Sequence, residues 1–249
     1  MRLFMNIHIY SSKQIMGEAA AQKAAEILKD AINNKGEANF VTATGASQFE
    51  FLENLIKIKS IDWSKTTMFH LDEYVGLPED HPASFRKYLK DRFISKVHPG
   101  HFYFVQGDAP DSKQECERLN QIISQKEIDV SFVGIGENGH LAFNDPPADF
   151  VTEKPYIVVQ LDEACRKQQL GEGWFEGLDD VPKRAISMSV KQIIKSKNII
   201  CTVPDRRKAE AVKNCFKGDE VSPDFPASIL KKHDTCFVFL DNQSSIYLK

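Results

Sequence analysis

The chain has 249 residues, 42% hydrophobic and 27% charged, enough to bury a large core and ordinary for a globular protein. Its net charge of −3 excludes the broad basic face that phosphate backbones need, so no nucleic-acid partner is expected. There is no apolar run near the roughly 18 residues of a membrane span, no apolar core of a secretion signal and no CxxC pair among the five cysteines. A cytoplasmic protein without a membrane partner is predicted, its cysteines reduced and serving as small apolar core residues.

Hydrophobic periodicity places a strand over residues 3–9 and then a helix in SSKQIMGEAAAQKAAEILKDAINNKG. Ser11 or Ser12 caps that helix, Ile15, Ala19, Ile27 and Leu28 form its apolar stripe, and Asn34 with Gly36 ends it. ANFVTA reads as a strand that runs through TGAS into the helical pattern FEFLENLIKI. TTMFHL is the next strand, PASFRKYLKDRFI a helix with proline in its first turn, and HFYFV a strand. CERLNQIISQ is helical, IDVSFVGIG is the most apolar strand, and YIVVQL is another. VKQIIKSK is helical, NIICTV a strand, RRKAEAVKNCF a helix and TCFVFLD the last strand. The alternation predicts an α/β fold: a doubly wound, mostly parallel, Rossmann-like sheet with helices on both faces, in a single domain over residues 1–249.

Ligands of such sheets sit beyond the carboxyl ends of the strands. Four strand ends carry chemistry here, TATGAS, HLDEYVG, GIGENGH and TVPDRRK, and the fold predicts that they converge on one pocket. In the first, Thr44, Gly45, Ala46 and Ser47 join strand to helix. Exposed N–H groups at such a junction favour a phosphate or carboxylate, and the spacing lacks the lysine of a nucleotide P-loop. In the second, Asp72 and Glu73 alternate across a strand, so one enters the pocket while the other serves structure. Withdrawal from water would raise the carboxylate's pKa toward that of a working base.

The third is the densest. GIGENGHLAFNDPP follows a buried strand and sets Glu137, His140 and Asp145 within nine positions. Histidine exchanges protons near neutral pH, and a carboxylate on its second nitrogen fixes the tautomer and sustains the cation. Asn138 supplies amide donors to a ligand or to the loop itself. No HxxxH or CxxC spacing accompanies the histidine, so no metal is expected. In the fourth, Arg206, Arg207 and Lys208 open a helix where cations oppose the dipole, which points to an anion nearby. Lys208 is the anion clamp chosen there, with Arg166 of LDEACRKQQLGEGWF a further candidate.

HLDEYVGL, GxGxNGHLAFNDP and xxRRKAEAV resemble the glucosamine-6-phosphate deaminase (isomerase) family, whose superfamily also holds 6-phosphogluconolactonases. The likeness runs from MRL at the start to PASILKKH near the end, and the lactonase pattern GPDGHTASLFP is missing from the histidine loop. The resemblance implies conversion of an amino-hexose 6-phosphate to a ketose 6-phosphate plus ammonia, without metal or cofactor. It assigns Asp72 to moving a proton between C2 and C1 and His140 to opening the sugar ring, with Glu137, Asn138 and Asp145 as the histidine's catalytic surroundings. Thr44, Gly45, Ala46, Ser47, Glu73, Gly139, Arg166 and Lys208 form the expected substrate-binding set. Two departures stand out: Asn138 occupies the position of a family aspartate (DGH), and Asp145 that of a family glutamate (FNEP). Either Glu137 or Asp145 is expected to compensate, or the substrate differs in stereochemistry. Glucosamine 6-phosphate is the first expected substrate and galactosamine 6-phosphate the second. Lactone hydrolysis and a non-catalytic sugar-phosphate sensor are the competing readings, and a homo-oligomer is left open as a partner.

Overall fold

The computed structural model describes residues 5–248, so residues 3 and 4 of the expected first strand lie outside it. The chain runs β1 (Asn6–Tyr10), α1 (Lys13–Lys35), β2 (Ala38–Thr42), α2 (Phe49–Leu55), β3 (Thr66–His70), β4 (Asp72–Tyr74) and α3 (Phe85–Leu89). A wider π turn over Lys90–Ile94 leads from α3 into α4 (Ser95–Val97), β5 (His101–Tyr103), α5 (Ser112–Ile123), β6 (Val130–Val133) and β7 (Tyr156–Gln160). Then follow α6 (Glu163–Gly171), β8 (Arg184–Met188), α7 (Val190–Ile194), β9 (Asn198–Val203), α8 (Ala209–Phe216) and β10 (Cys236–Asp241).

Seven strands form one fully parallel sheet in the order β1-β10-β9-β6-β2-β3-β5. From β2 the chain winds outward through β3 to β5, and from β6 it winds the other way through β9 to β10. β2 and β6 are therefore neighbours at the switch point, where a crevice opens at the strands' carboxyl ends. Strand residues alternate between two cores: Val41, Phe69, Val133 and Ile199 pack on one face with α5 and α8, and Phe40, Met68, Phe132 and Ile200 on the other with α1 and α2. Burial on both faces is why β2, β3 and β6 are buried at every position, as parallel sheets require.

Ser12 caps α1, its hydroxyl accepting from Ile15 N at 3.3 Å, and Gly36 ends it in the left-handed region (φ 84°). The buried stripe differs from the expected one. Met16, Ala20, Ala21, Ala24, Ala25, Leu28 and Ile32 face inward, while Ile15 is exposed. The small stripe wins because α1 lies close to its neighbour: a Cβ on Gly17 would sit 2.7 Å from Glu50 of α2.

The second difference is a small antiparallel sheet, β4-β8-β7. The expected strand YIVVQL is present as β7, but it belongs to this sheet. β4 and β8 have no counterpart among the predicted elements, because the three residues of β4 are too few for a pattern and β8 is buried at four of five positions without alternation. All five cysteines are free and buried, as expected. No described helix is long and apolar enough to cross a membrane.

Candidate active site

The four strand ends do converge. A cleft at the switch point is lined by Thr44–Ser47 after β2, Asp72 of β4, Gly134, Ile135 and His140 after β6, and Arg207 with Lys208 before α8. Glycines shape its floor for stated reasons. Gly45 has φ 92°, a conformation that favours glycine, and it starts the turn that presents Ala46 and Ser47. A Cβ on Gly134 would lie 2.2 Å from Ser47 Oγ, and one on Gly136 would lie 2.4 Å from the His140 ring. The two glycines of GIG thus make room for the serine and the histidine. Buried Gln48 ties the turn down, donating to Thr202 Oγ1 of β9 at 2.7 Å and to the Val133 carbonyl of β6 at 3.1 Å. Thr44 Oγ1 is buried and has no partner, a polar atom left over for a ligand at this turn.

Asp72 is 6% exposed and pairs with Ser187 of β8. Burial, and then the neighbouring Glu73 charge, push its carboxyl up to about 8. Glu73 follows the strand alternation and turns away from the cleft. Its Oε1 accepts from Tyr74 N at 3.0 Å, and its Oε2 accepts from Ser84 Oγ at 3.0 Å and from Arg86 N at 2.9 Å. Glu73, expected among the substrate-binding residues, does not line the cleft: it anchors the 84–86 segment, whose Phe85 does.

The histidine loop answers the question its sequence raises. His140 Nδ1 meets Asp145 Oδ1 at 3.1 Å, and Glu137 is not its partner. Asn138 holds the arrangement from both sides: its Oδ1 accepts from His140 N at 3.0 Å, and its Nδ2 donates to Asp145 Oδ1 at 3.0 Å. Asp162 N donates to Asp145 Oδ2 at 3.1 Å. Burial works to raise the Asp145 carboxyl, but the bond to His140 and the other donors hold it below its ordinary value. Gly139 does not line the cleft; at φ 85° it forms the turn, and its carbonyl accepts from Ala227 N at 3.0 Å. The missed strand β8 joins these parts, pairing with β4 beside Asp72 while Ser187 Oγ accepts from Phe143 N at 3.0 Å.

Lys208 is 4% exposed, and burial, reinforced by the Arg207 charge, lowers its ammonium to about 8. Arg207 reaches Glu137 at 3.3 Å and Glu172 at 3.1 Å across the rim. Arg166 is not in the cleft: its guanidinium donates to the carbonyls of Val181 (3.2 Å) and Leu178 and pins α6 to the turn beyond it. Gln168 and Gln169 of α6, Glu172 just after that helix, and Arg207 line the cleft instead. The basic run 206–208 signalled Arg207. Nothing in α6 signalled its contribution, since Cys165 is its one buried residue and it shows no apolar stripe.

The chain belongs to the family of glucosamine-6-phosphate isomerases and 6-phosphogluconolactonases, whose model matches residues 11–239. Within that family it is 37% identical to a glucosamine-6-phosphate deaminase of Oenococcus oeni over 92% of this chain and 94% of that protein. A glucosamine-6-phosphate deaminase of Bacillus subtilis is 35% identical over 92% and 95% of the two chains. A solved monomeric glucosamine-6-phosphate deaminase superposes with a TM-score of 0.89 at 30% identity, covering 98% of this chain and all of the other. A 6-phosphogluconolactonase from Shewanella baltica shares the fold, with a TM-score of 0.79 at 18% identity.

Proposed function

We propose that this protein converts an amino-hexose 6-phosphate, with glucosamine 6-phosphate as first choice and galactosamine 6-phosphate as second, to a ketose 6-phosphate and ammonia, consuming one water. The observation that carries the reading is that a buried carboxylate, Asp72, and a carboxylate-held imidazole, His140, share one cleft with a free strand-to-helix turn and a buried lysine. A base and a second proton-transfer group in one cleft are what ring opening followed by aldose–ketose proton transfer needs. The N–H groups of Gly45–Ser47, Thr44 Oγ1 and Lys208 take the phosphate. His140, its Nδ1 fixed by Asp145, passes a proton to the ring oxygen with Nε2 as the ring opens. Asp72 then removes the C2 proton and returns it to C1, and water replaces the amine on C2. The work falls to one cytoplasmic domain, and neither a metal nor a cofactor takes part. Incubating the protein with each epimer and measuring ammonia tests the reading; release from neither overturns it, and release from the galacto epimer alone overturns the order of substrates.

Two results follow from the charges in the cleft. The acid limb of kcat/KM reports Asp72 losing its proton, and the alkaline limb reports Lys208 losing its charge. With both near 8, a narrow bell centred near pH 8 is expected. Lys208→Arg keeps its charge and is expected to remove the alkaline limb alone. In the second, Arg207 is held by Glu137 and Glu172 and is free to swing to the phosphate only by leaving them. Arg207→Ala is expected to raise KM about tenfold, the value of one charge-assisted hydrogen bond. Glu172→Gln, by weakening the hold, is expected to lower KM; steady-state kinetics at fixed salt measures both.

A further inference from the structure

We propose that Cys165, together with His140 and Asp145, forms a capture site for a thiophilic divalent cation such as Zn²⁺, and that an ion bound there switches the reaction off. One donor atom from each of the three residues lies within 4.8 Å of the others, and among the described residues this is the one such group of His, Cys, Asp or Glu. Two of the donors, His140 Nδ1 and Asp145 Oδ1, stand 3.1 Å apart. Ligands bound tetrahedrally at the usual Zn–N, Zn–O and Zn–S lengths lie about 3.3–3.8 Å from one another, so the site closes on an ion with shifts on the order of 1 Å.

The local backbone holds the donors together, although burial and the Asp145 and Asp162 charges push the Cys165 thiol well above its ordinary value, which the metal–sulfur bond must overcome. α6 begins at its cap Asp162, whose carboxylate accepts from Cys165 N at 2.6 Å, while Asp162 N donates to Asp145 Oδ2. That one turn therefore positions both the thiol and the carboxylate. Cys165 is 1% exposed, whereas His140 lines the cleft, so an ion enters past the imidazole and keeps its fourth position for water. The donor set of one imidazole, one carboxylate and one thiolate suits zinc and cobalt better than magnesium or calcium. Binding exchanges the thiol proton for the metal–sulfur bond and releases that proton to solvent. The ion takes the His140 nitrogen that Asp145 otherwise holds. The loss of activity rests on the reaction proposed above; the binding does not.

The test uses Co²⁺ and Zn²⁺ on the full chain. Co²⁺ titration is expected to produce the near-ultraviolet thiolate charge-transfer band, saturating at one ion per chain and vanishing in Cys165→Ala. Zn²⁺ is expected to suppress ammonia release reversibly on chelation, more than about tenfold less potently in that variant. The Cys165 thiol contacts Asp145, so the potency of Zn²⁺ in Cys165→Ala is read as inhibition relative to that variant's own metal-free rate, and Cys165→Val fills the space should alanine fold poorly. A wild-type protein without the band, or a band equally strong in both variants, overturns the site. A Cys165-dependent band on a protein that releases no ammonia from either epimer supports the site and overturns the proposed reaction.

Discussion

Asp72→Asn is expected to lower ammonia release by about 10³-fold or more, as loss of a positioned base does, and also to make the protein harder to melt at alkaline pH. The second effect separates this site from a structural carboxylate. The Asp72 carboxyl titrates near 8 in the fold against 3.8 ordinarily. The folded chain therefore holds this proton more tightly than the unfolded chain. Stability associated with it is fully present below about pH 4 and is lost as pH rises toward 8, at up to about 1.4 kcal/mol per unit. Asparagine cannot ionise and escapes that loss. At pH 8 the variant is expected to melt at least about 3 °C above wild type, roughly the effect of 1 kcal/mol in a chain of this size; at pH 4 the two should coincide. Calorimetry at the two pH values, beside an ammonia assay, decides it. A variant that is inactive but less stable at pH 8 would place Asp72 in the scaffold instead.

Burial of that kind is a cost borne at one position for reactivity. Glu73 is buried still further, and burial raises its carboxyl to about 7, but three N–H and O–H donors and Arg86 offset part of that rise. Both of the causes acting on Asp72 raise it, and neither offsets the other. Adjacent carboxylates on one strand thus differ in placement: Glu73 fixes the segment that carries Phe85, and Asp72 faces the cleft with nothing to offset the rise of its carboxyl.

How much of this the sequence carried depends on how local each determinant is. The parallel sheet was legible because β2, β3, β6, β9 and β10 are apolar runs alternating with helical patterns, and the switch-point rule then named the four loops that meet. The small antiparallel sheet was not. β4 and β8 have little sequence signal of their own and exist because they pair, Asp72 opposite Ser187. The same limit explains the arginines. Arg166 and Arg207 are equally basic on paper; the path of α6 turns the first toward Val181, and the turn before α8 sets the second on the cleft rim beside Glu172. Glu137 and Asp145 are likewise equal claimants for His140 in sequence. The turn at Gly139 brings Asp145 to the ring's Nδ1 and leaves Glu137 on the rim with Arg207.

That choice of carboxylate makes the second large prediction. Asp145→Asn is expected to cost about 10³- to 10⁴-fold in turnover, because the imidazole loses the anion that fixes its tautomer and sustains its cation. Glu137→Gln, on the exposed rim, is expected to leave turnover unchanged and to alter KM alone through Arg207. The resemblance noted in the sequence sets Asn138 where an aspartate is expected, and its amide fits the shorter acid beside it. Asn138 Nδ2 donates to the same Asp145 oxygen that meets His140, at 3.0 Å. Asn138→Asp would set a carboxylate oxygen against that oxygen, and like charges so close raise the pKa of one of them. The single substitution is therefore expected to lower activity even though it restores the family residue. Adding Asp145→Glu should recover part of the loss, because the longer acid can meet His140 from farther away. A double-mutant cycle read in kcat measures the coupling. If Asn138→Asp alone is as active as wild type, the amide has no part in holding the dyad and the two departures are independent.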